Sequence, residues 1–120
     1  LRQAKVAIQG FGNAGSFAAK LLSEDGAKIV GIADVSGGYY NLDGIDIKAA
    51  LGTCRKNKRW VLQGLEQNTA VEKFDDPMQI LEMDVDILIP AALENQITEE
   101  NAEQIKAKLI AECANGPVWQ

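Results

Sequence analysis

Gly10, Gly12 and Gly15, in the run Gly10-Phe11-Gly12-Asn13-Ala14-Gly15, are the residues whose type and spacing point most directly to chemistry. They follow the apolar run Val6-Ala7-Ile8 and open an amphipathic stretch, so they mark a strand turning sharply into a helix. Each glycine has its own physical reason. Gly10 permits the tight turn, Gly12 lets main chain approach a pyrophosphate, and Gly15 lets the helix lie close to its strand. The amides of Asn13, Ala14 and Gly15 then face phosphate oxygens from the positive end of the helix. A glycine loop in an ordinary α/β protein would look the same, and the residues downstream separate the two readings. Lys28-Ile29-Val30-Gly31-Ile32-Ala33 reads as a second strand ending at Asp34, which lies 19 residues beyond Gly15. That is the spacing of a carboxylate that binds an adenosine ribose, so the chemistry implied is the holding of a dinucleotide. Asp34 can accept two ribose hydroxyls and repels a 2′-phosphate, which favours NAD, with NADP possible if nearby cations offset the repulsion.

Composition sets the limits of this reading. At 120 residues the chain is one domain, long enough to bury a core without staples. Its net charge of −5 argues against nucleic acid or an anionic membrane as partner. No segment approaches a membrane span and no charged-then-apolar leader opens the chain, so a cytoplasmic location is expected. Cys54 and Cys113 lack the paired spacing of a metal site, and there is no histidine to complete a mixed one. The same lack of histidine excludes a Ser-His-Asp triad or any hydride transfer that needs a histidine base from this chain alone. Lys5 already enters a strand, and Leu1 is not an initiator methionine, so a segment of a longer chain is expected.

The elements that must position these residues can be read in order. The first helix is expected over Asn13 to Glu24, with Ala14, Phe17, Ala18, Leu21 and Leu22 as its core stripe and Gly26 as its stop. After Asp34, the turn formers from Val35 to Gly44 read as a loop where an adenine could lie. Tyr39 and Tyr40 in that loop serve either adenine binding or packing, and packing is favoured. Asp46 caps a helix carrying Ile47, Ala50, Leu51 and Cys54 inward. Arg55, Lys56, Lys58 and Arg59 read as a solvated helix end, with contact to a 2′-phosphate or a partner domain as the sharper alternative. Residues 63–68 fit helix or loop equally.

Ala70-Val71-Glu72-Lys73-Phe74 is a short strand candidate, and Asp75-Asp76-Pro77 starts a helix with Met78, Leu81 and Ile80 inward. Val85-Asp86-Ile87-Leu88-Ile89 reads as a buried strand closed by Pro90. Asp86 interrupts it, either facing solvent at an edge or accepting backbone hydrogen bonds. Thr98 caps a further helix, and Leu109-Ile110-Ala111-Glu112-Cys113 makes a last strand. Alternation through five strands implies an α/β fold with a doubly wound, mainly parallel, Rossmann-like sheet of order 3-2-1-4-5. Residues 10–15, Asp34, Ala91 to Asn95 and Asn115 would then share the carboxyl edge of that sheet.

Four segments together resemble the coenzyme domain of glutamate dehydrogenase, within the glutamate, leucine, phenylalanine and valine dehydrogenase family. They are Val6-Ala7-Ile8-Gln9-Gly10-Phe11-Gly12-Asn13, Asp34-Val35-Ser36-Gly37-Gly38, residues 84–97 including Pro90-Ala91-Ala92-Leu93-Glu94-Asn95, and Glu112-Cys113-Ala114-Asn115-Gly116-Pro117. The resemblance runs almost end to end and implies oxidative deamination of L-glutamate to 2-oxoglutarate and ammonia, or its reverse. It implies that Gly10, Gly12, Asn13, Ala14 and Gly15 hold the pyrophosphate and that Asp34 and Val35 meet the adenosine ribose. Ala91, Ala92, Asn95 and Asn115 would line the nicotinamide half. In this family the substrate-binding and catalytic residues lie in another, amino-terminal domain. Residues 1–120 are therefore expected to be the dinucleotide-binding domain of a longer homo-oligomeric enzyme, holding cofactor but no catalytic residue and no metal, and inactive alone. The same domain of a leucine, valine or phenylalanine dehydrogenase is the near rival. A non-catalytic NAD-sensing domain of the kind attached to potassium transporters is the distant one.

Overall fold

The structure, a computed structural model, describes residues 3–58, 60–91 and 109–110. Its frame is a six-stranded sheet of β1 (Lys5–Gln9), β2 (Lys28–Asp34), β3 (Gly37–Tyr40), β4 (Glu72–Lys73), β5 (Ile87–Pro90) and β6 (Leu109–Ile110), in the order β4-β3-β2-β1-β5-β6. Helices α1 (Asn13–Glu24) and α2 (Ile47–Lys56) and two 3₁₀ turns, Leu65–Gln67 and Pro77–Glu82, complete the described elements.

The central strand β1 is buried on both faces. Val6 and Ile8 join Ile29, Ile32 and Ile89 in a core covered by α1 and α2, while Ala7 joins Val30, Leu88, Ile80 and Leu81 on the other side. Burial on both faces explains why β1 reads as an unbroken apolar run. It pairs in parallel with β2 and with β5, and β5 pairs in parallel with β6. Gln9 is level with Ala33 on one side and Pro90 on the other, so three strands end along one edge.

The expected order 3-2-1-4-5 needs one correction. The chain between Asp34 and Tyr40, expected as a loop, is a hairpin: β3 runs antiparallel to β2, with Asp34 level with Gly37, and β4 runs antiparallel to β3. The expected third strand is thus β4, separated from β2 by an extra strand. The turn needs no Asn-Gly pair, because the Asp34 side chain makes it: Oδ1 accepts the Ser36 N–H at 2.9 Å and its hydroxyl at 2.6 Å. Two glycines in a strand disguised it. Tyr39 fills the core at 0 % exposure and Tyr40 packs on Phe74 with ring centroids 4.6 Å apart, so both tyrosines pack.

A second correction concerns α1. Its ends fall where expected, and Ala18 and Leu22 pack against the core as expected, but the other three residues of the stripe are turned outward: Phe17 is 62 % and Leu21 47 % exposed, and Ala14 is exposed as well. The buried face is made of Gly15, Ser16 and Ala19, with Ala18 and Leu22 at its margin. Small residues form the contact because the helix lies so close to the sheet: a Cβ on Gly15 would collide with the Gly10 carbonyl.

Helix α2 follows expectation. Asp46 accepts the Ala49 N–H at 3.2 Å as its cap, and Ile47, Ala50 and Cys54 are buried. The helix expected after Asp76 is the 3₁₀ turn Pro77–Glu82, and Leu65–Gln67 settles residues 63–68 as a short 3₁₀ turn in a loop. Asp86 takes the second of its two alternatives: Oδ2 accepts the Lys5 N–H at 2.9 Å, while its own N–H donates to the Lys5 carbonyl. The helix expected after Thr98 and residues 111–113 of the last strand lie outside the described residues.

Candidate functional site

The glycine loop is shaped by three different constraints. Gly10 has φ +103, a left-handed backbone that a side chain would strain, and its N–H donates to the Ala33 carbonyl at 2.6 Å. Gly15 is fixed by the close approach described above. Gly12 has neither reason: its φ is −79, and a Cβ there would meet nothing within 4 Å among the described residues. Among the described residues nothing fills the space over the loop at this position.

That space lies at the start of α1. No side chain caps the helix, its first turn carries no acidic residue, and its first internal bond is from the Ser16 N–H to the Gly12 carbonyl at 2.9 Å. Gly12, Asn13 and Ala14 are exposed. An uncapped helix start presents unused N–H groups and a partial positive charge to solvent, a setting suited to an anion. The contrast with α2, whose cap is supplied by Asp46, is local and clear.

Asp34, at the end of the neighbouring strand, is half-buried. Besides Ser36 on Oδ1, its Oδ2 accepts the Leu62 N–H at 2.7 Å. Oδ1 is filled by its two bonds from Ser36, whereas Oδ2 accepts one bond and keeps a second acceptor site, so the residue can organise its loops and still receive a hydroxyl. Val35 projects from the hairpin tip at 83 % exposure. Beside them opens a cleft of about 350 Å³ lined by Val35, Ser36, Asn57, Lys58, Val61 and Gln63. Of the basic cluster, Arg55 and Lys56 occupy the last turn of α2, where they complement its dipole, and Lys58 lines the cleft. Arg59 lies outside the described residues.

Gly10, Asp34 and Ala91 therefore share one edge, with the Ala91 N–H donating to the Gln9 carbonyl at 2.6 Å. Ala92, Asn95 and Asn115 lie outside the described residues. Three contributors to this edge escaped the sequence reading. Trp60 donates its indole N–H to the Phe11 carbonyl at 2.7 Å, the Leu62 amide reaches Asp34, and the Gln9 side-chain oxygen is buried with no hydrogen-bond partner among the described residues. Only Gln9 left a trace in sequence, as an amide ending an apolar strand.

Cys54 lies beneath the same region at 1 % exposure, and burial, followed by the charge of Asp34, pushes its thiol up to about 12. Tyr39 is also raised to about 12, by burial first and then by Glu66 and Asp34. With Cys113 replaced by serine, Cys54 is expected to react with Ellman's reagent at pH 8 on the order of a thousandfold more slowly than a free thiol, and promptly once the chain is unfolded. Prompt reaction of the native protein would show that the thiol is not sealed. Because both groups hold their protons more tightly when folded, the stability they contribute is complete below about pH 9 and is lost as pH rises toward 12.

The fold and this edge define a doubly wound α/β protein with an open, glycine-led helix start beside a strand-terminal carboxylate. The chain belongs to the Glutamate/Leucine/Phenylalanine/Valine dehydrogenase family, whose model matches residues 1–120. It is 47% identical over 117 residues to the cryptic catabolic NAD-specific glutamate dehydrogenase GudB of Bacillus subtilis, covering 98% of this chain and 26% of that protein. It is 49% identical over 117 residues to the NADP-specific glutamate dehydrogenase of Synechocystis, covering 93% of this chain and 27% of that one. Among solved structures, hetero-hexameric glutamate dehydrogenase from Thermus thermophilus, in a Leu-bound form, superposes with TM-score 0.76 at 26% identity over 95% of this chain and 25% of that one. The chain thus spans about a quarter of the length of these relatives. Among the described residues, no helix is long and apolar enough to cross a membrane.

Proposed function

We propose that residues 1–120 form the NAD(P)-binding domain of a cytoplasmic amino-acid dehydrogenase acting on L-glutamate. The observation that carries this reading is Gly12: its φ is negative, its side-chain space is empty among the described residues, and it stands at an uncapped helix start on the same edge as Asp34. In this assignment Gly10, Gly12, Asn13, Ala14 and Gly15 hold the pyrophosphate, Asp34 receives an adenosine ribose hydroxyl through Oδ2 and Val35 covers the ribose. Ala91, Ala92, Asn95 and Asn115 line the nicotinamide half. The nicotinamide ring supplies the hydride acceptor when bound.

The residues of this chain contribute orientation and the exclusion of water, which alone accounts for a large share of a bimolecular barrier. They contribute no acid or base. Substrate groups would come from the remainder of a longer chain, which would also form the oligomer; the Thermus thermophilus relative is a hetero-hexamer. NAD is the preferred cofactor because Asp34 repels a 2′-phosphate, and Ser36 and Lys58 in the adjoining cleft allow NADP as a weaker ligand.

Titration calorimetry with NAD, NADP and ADP-ribose tests the binding half: all three should bind, and no detectable heat from any of them would refute the assignment. Glutamate-dependent reduction of NAD by the full-length enzyme tests the other half. Turnover of leucine, valine or phenylalanine with none of glutamate would move the protein to another branch of the family.

A further inference from the structure

We propose that Trp60 is a positioning residue for the adenosine diphosphate half of the cofactor, acting through a strap that ties the glycine loop to Asp34. This rests on the nucleotide-binding reading above. The strap is made by two bonds from residues two positions apart. The Trp60 indole N–H donates to the Phe11 carbonyl inside the glycine loop, and the Leu62 N–H donates to Asp34 Oδ2, each at 2.7 Å. These reach back 49 and 28 residues to the two elements that a nucleotide must touch at once.

The strap is itself held firmly. The Asn57 side-chain amide, at the end of α2, donates to the Val61 carbonyl at 2.8 Å and the Gln63 carbonyl at 3.1 Å. Leu62 is fully buried, and the Leu65 N–H donates to its carbonyl at 2.9 Å. At the other end Phe11 is anchored in the core at 1 % exposure. Trp60 remains 42 % exposed, so burial of its ring does not account for a tryptophan here, whereas the indole N–H does.

The physical advantage is a fixed distance. Pyrophosphate and adenosine ribose are covalently joined, so their two receptors must keep a constant separation, and any slack between them lowers affinity. Within the described residues, the strap joins the two receptors in addition to the ladder between β1 and β2 and the bond from the Gly10 N–H to the Ala33 carbonyl.

Trp60→Phe keeps an aromatic ring and removes only the N–H, so it isolates the bond. ADP-ribose should then bind about three- to tenfold more weakly, the range expected for one neutral hydrogen bond. In a Trp119→Phe background, where Trp60 is the chain's remaining tryptophan, its emission should change as ADP-ribose is added. Unaltered ADP-ribose affinity in Trp60→Phe, or emission that ADP-ribose leaves unmoved, would overturn the strap while leaving nucleotide binding intact. If Trp60→Phe does not fold, the emission measurement decides alone. Failure of the unsubstituted protein to bind ADP-ribose would instead remove the nucleotide reading and this inference with it.

Discussion

Gly12→Ala is expected to leave folding stability within about 1 kcal/mol of the parent while weakening dinucleotide binding on the order of a hundredfold. The stability half follows from a negative φ of −79 and a Cβ that would meet nothing within 4 Å among the described residues. Gly12 is the N-cap of α1, where alanine is a poorer residue than glycine by up to about 1 kcal/mol, and that sets the size of the expected loss. The binding half follows from where that Cβ would sit, in the approach to the first-turn amides of α1. Losing two hydrogen bonds to a charged pyrophosphate, at about 1.5 kcal/mol each, accounts for the expected loss. Gly15→Ala should fail in the opposite way. Its Cβ would strike the Gly10 carbonyl, a backbone atom that cannot turn aside, so a destabilisation of about 1–3 kcal/mol or more is expected. Urea unfolding alongside calorimetry separates the two. If Gly12→Ala bound NAD as tightly as the parent, the empty space over the loop would have no ligand to explain it.

Asp34→Ser is expected to weaken NAD about tenfold or more and to spare or improve NADP, because the repulsion of a 2′-phosphate is removed with the ribose acceptor. The structure adds a cost that spacing alone does not reveal. The carboxylate accepts from Ser36 and from Leu62, so a serine here leaves the Leu62 N–H without its partner inside the strap. A stability loss of about 1–3 kcal/mol is expected from that orphaned donor. Binding must therefore be compared well below the variant's melting temperature. Equal loss of NAD and NADP would refute the ribose role and leave Asp34 as an organiser of loops only.

How much of this was legible in the sequence depended on where the determining contacts lie. The first strand, the glycine turn, the limits of α1 and the strand ending at Asp34 were read directly, because glycine spacing and apolar runs are local signals. The outward turn of Phe17 and Leu21 was not. Apolar pattern assigns the largest side chains to the core, but here the contact face was set by how closely the helix could approach, and closeness selects Gly15, Ser16 and Ala19. β3 was hidden for a similar reason. Gly37 and Gly38 argue against a strand, and the turn that makes one depends on the side chain of Asp34, a residue already given another role. The strap through Trp60 has no sequence signature, since both of its bonds connect positions far apart along the chain. Ala91 could be placed, while Ala92, Asn95 and Asn115 remain assignments by resemblance.

The hairpin that displaced the expected third strand also decides how the sheet ends. β4 is two residues long, and both of them, Glu72 and Lys73, are exposed. A neighbouring molecule trying to extend the sheet there would find few free backbone groups, and it would have to dehydrate two opposite charges to reach them. This margin is therefore a poor template for fibril growth, and crowded solutions of the protein should resist strand-mediated aggregation from that side.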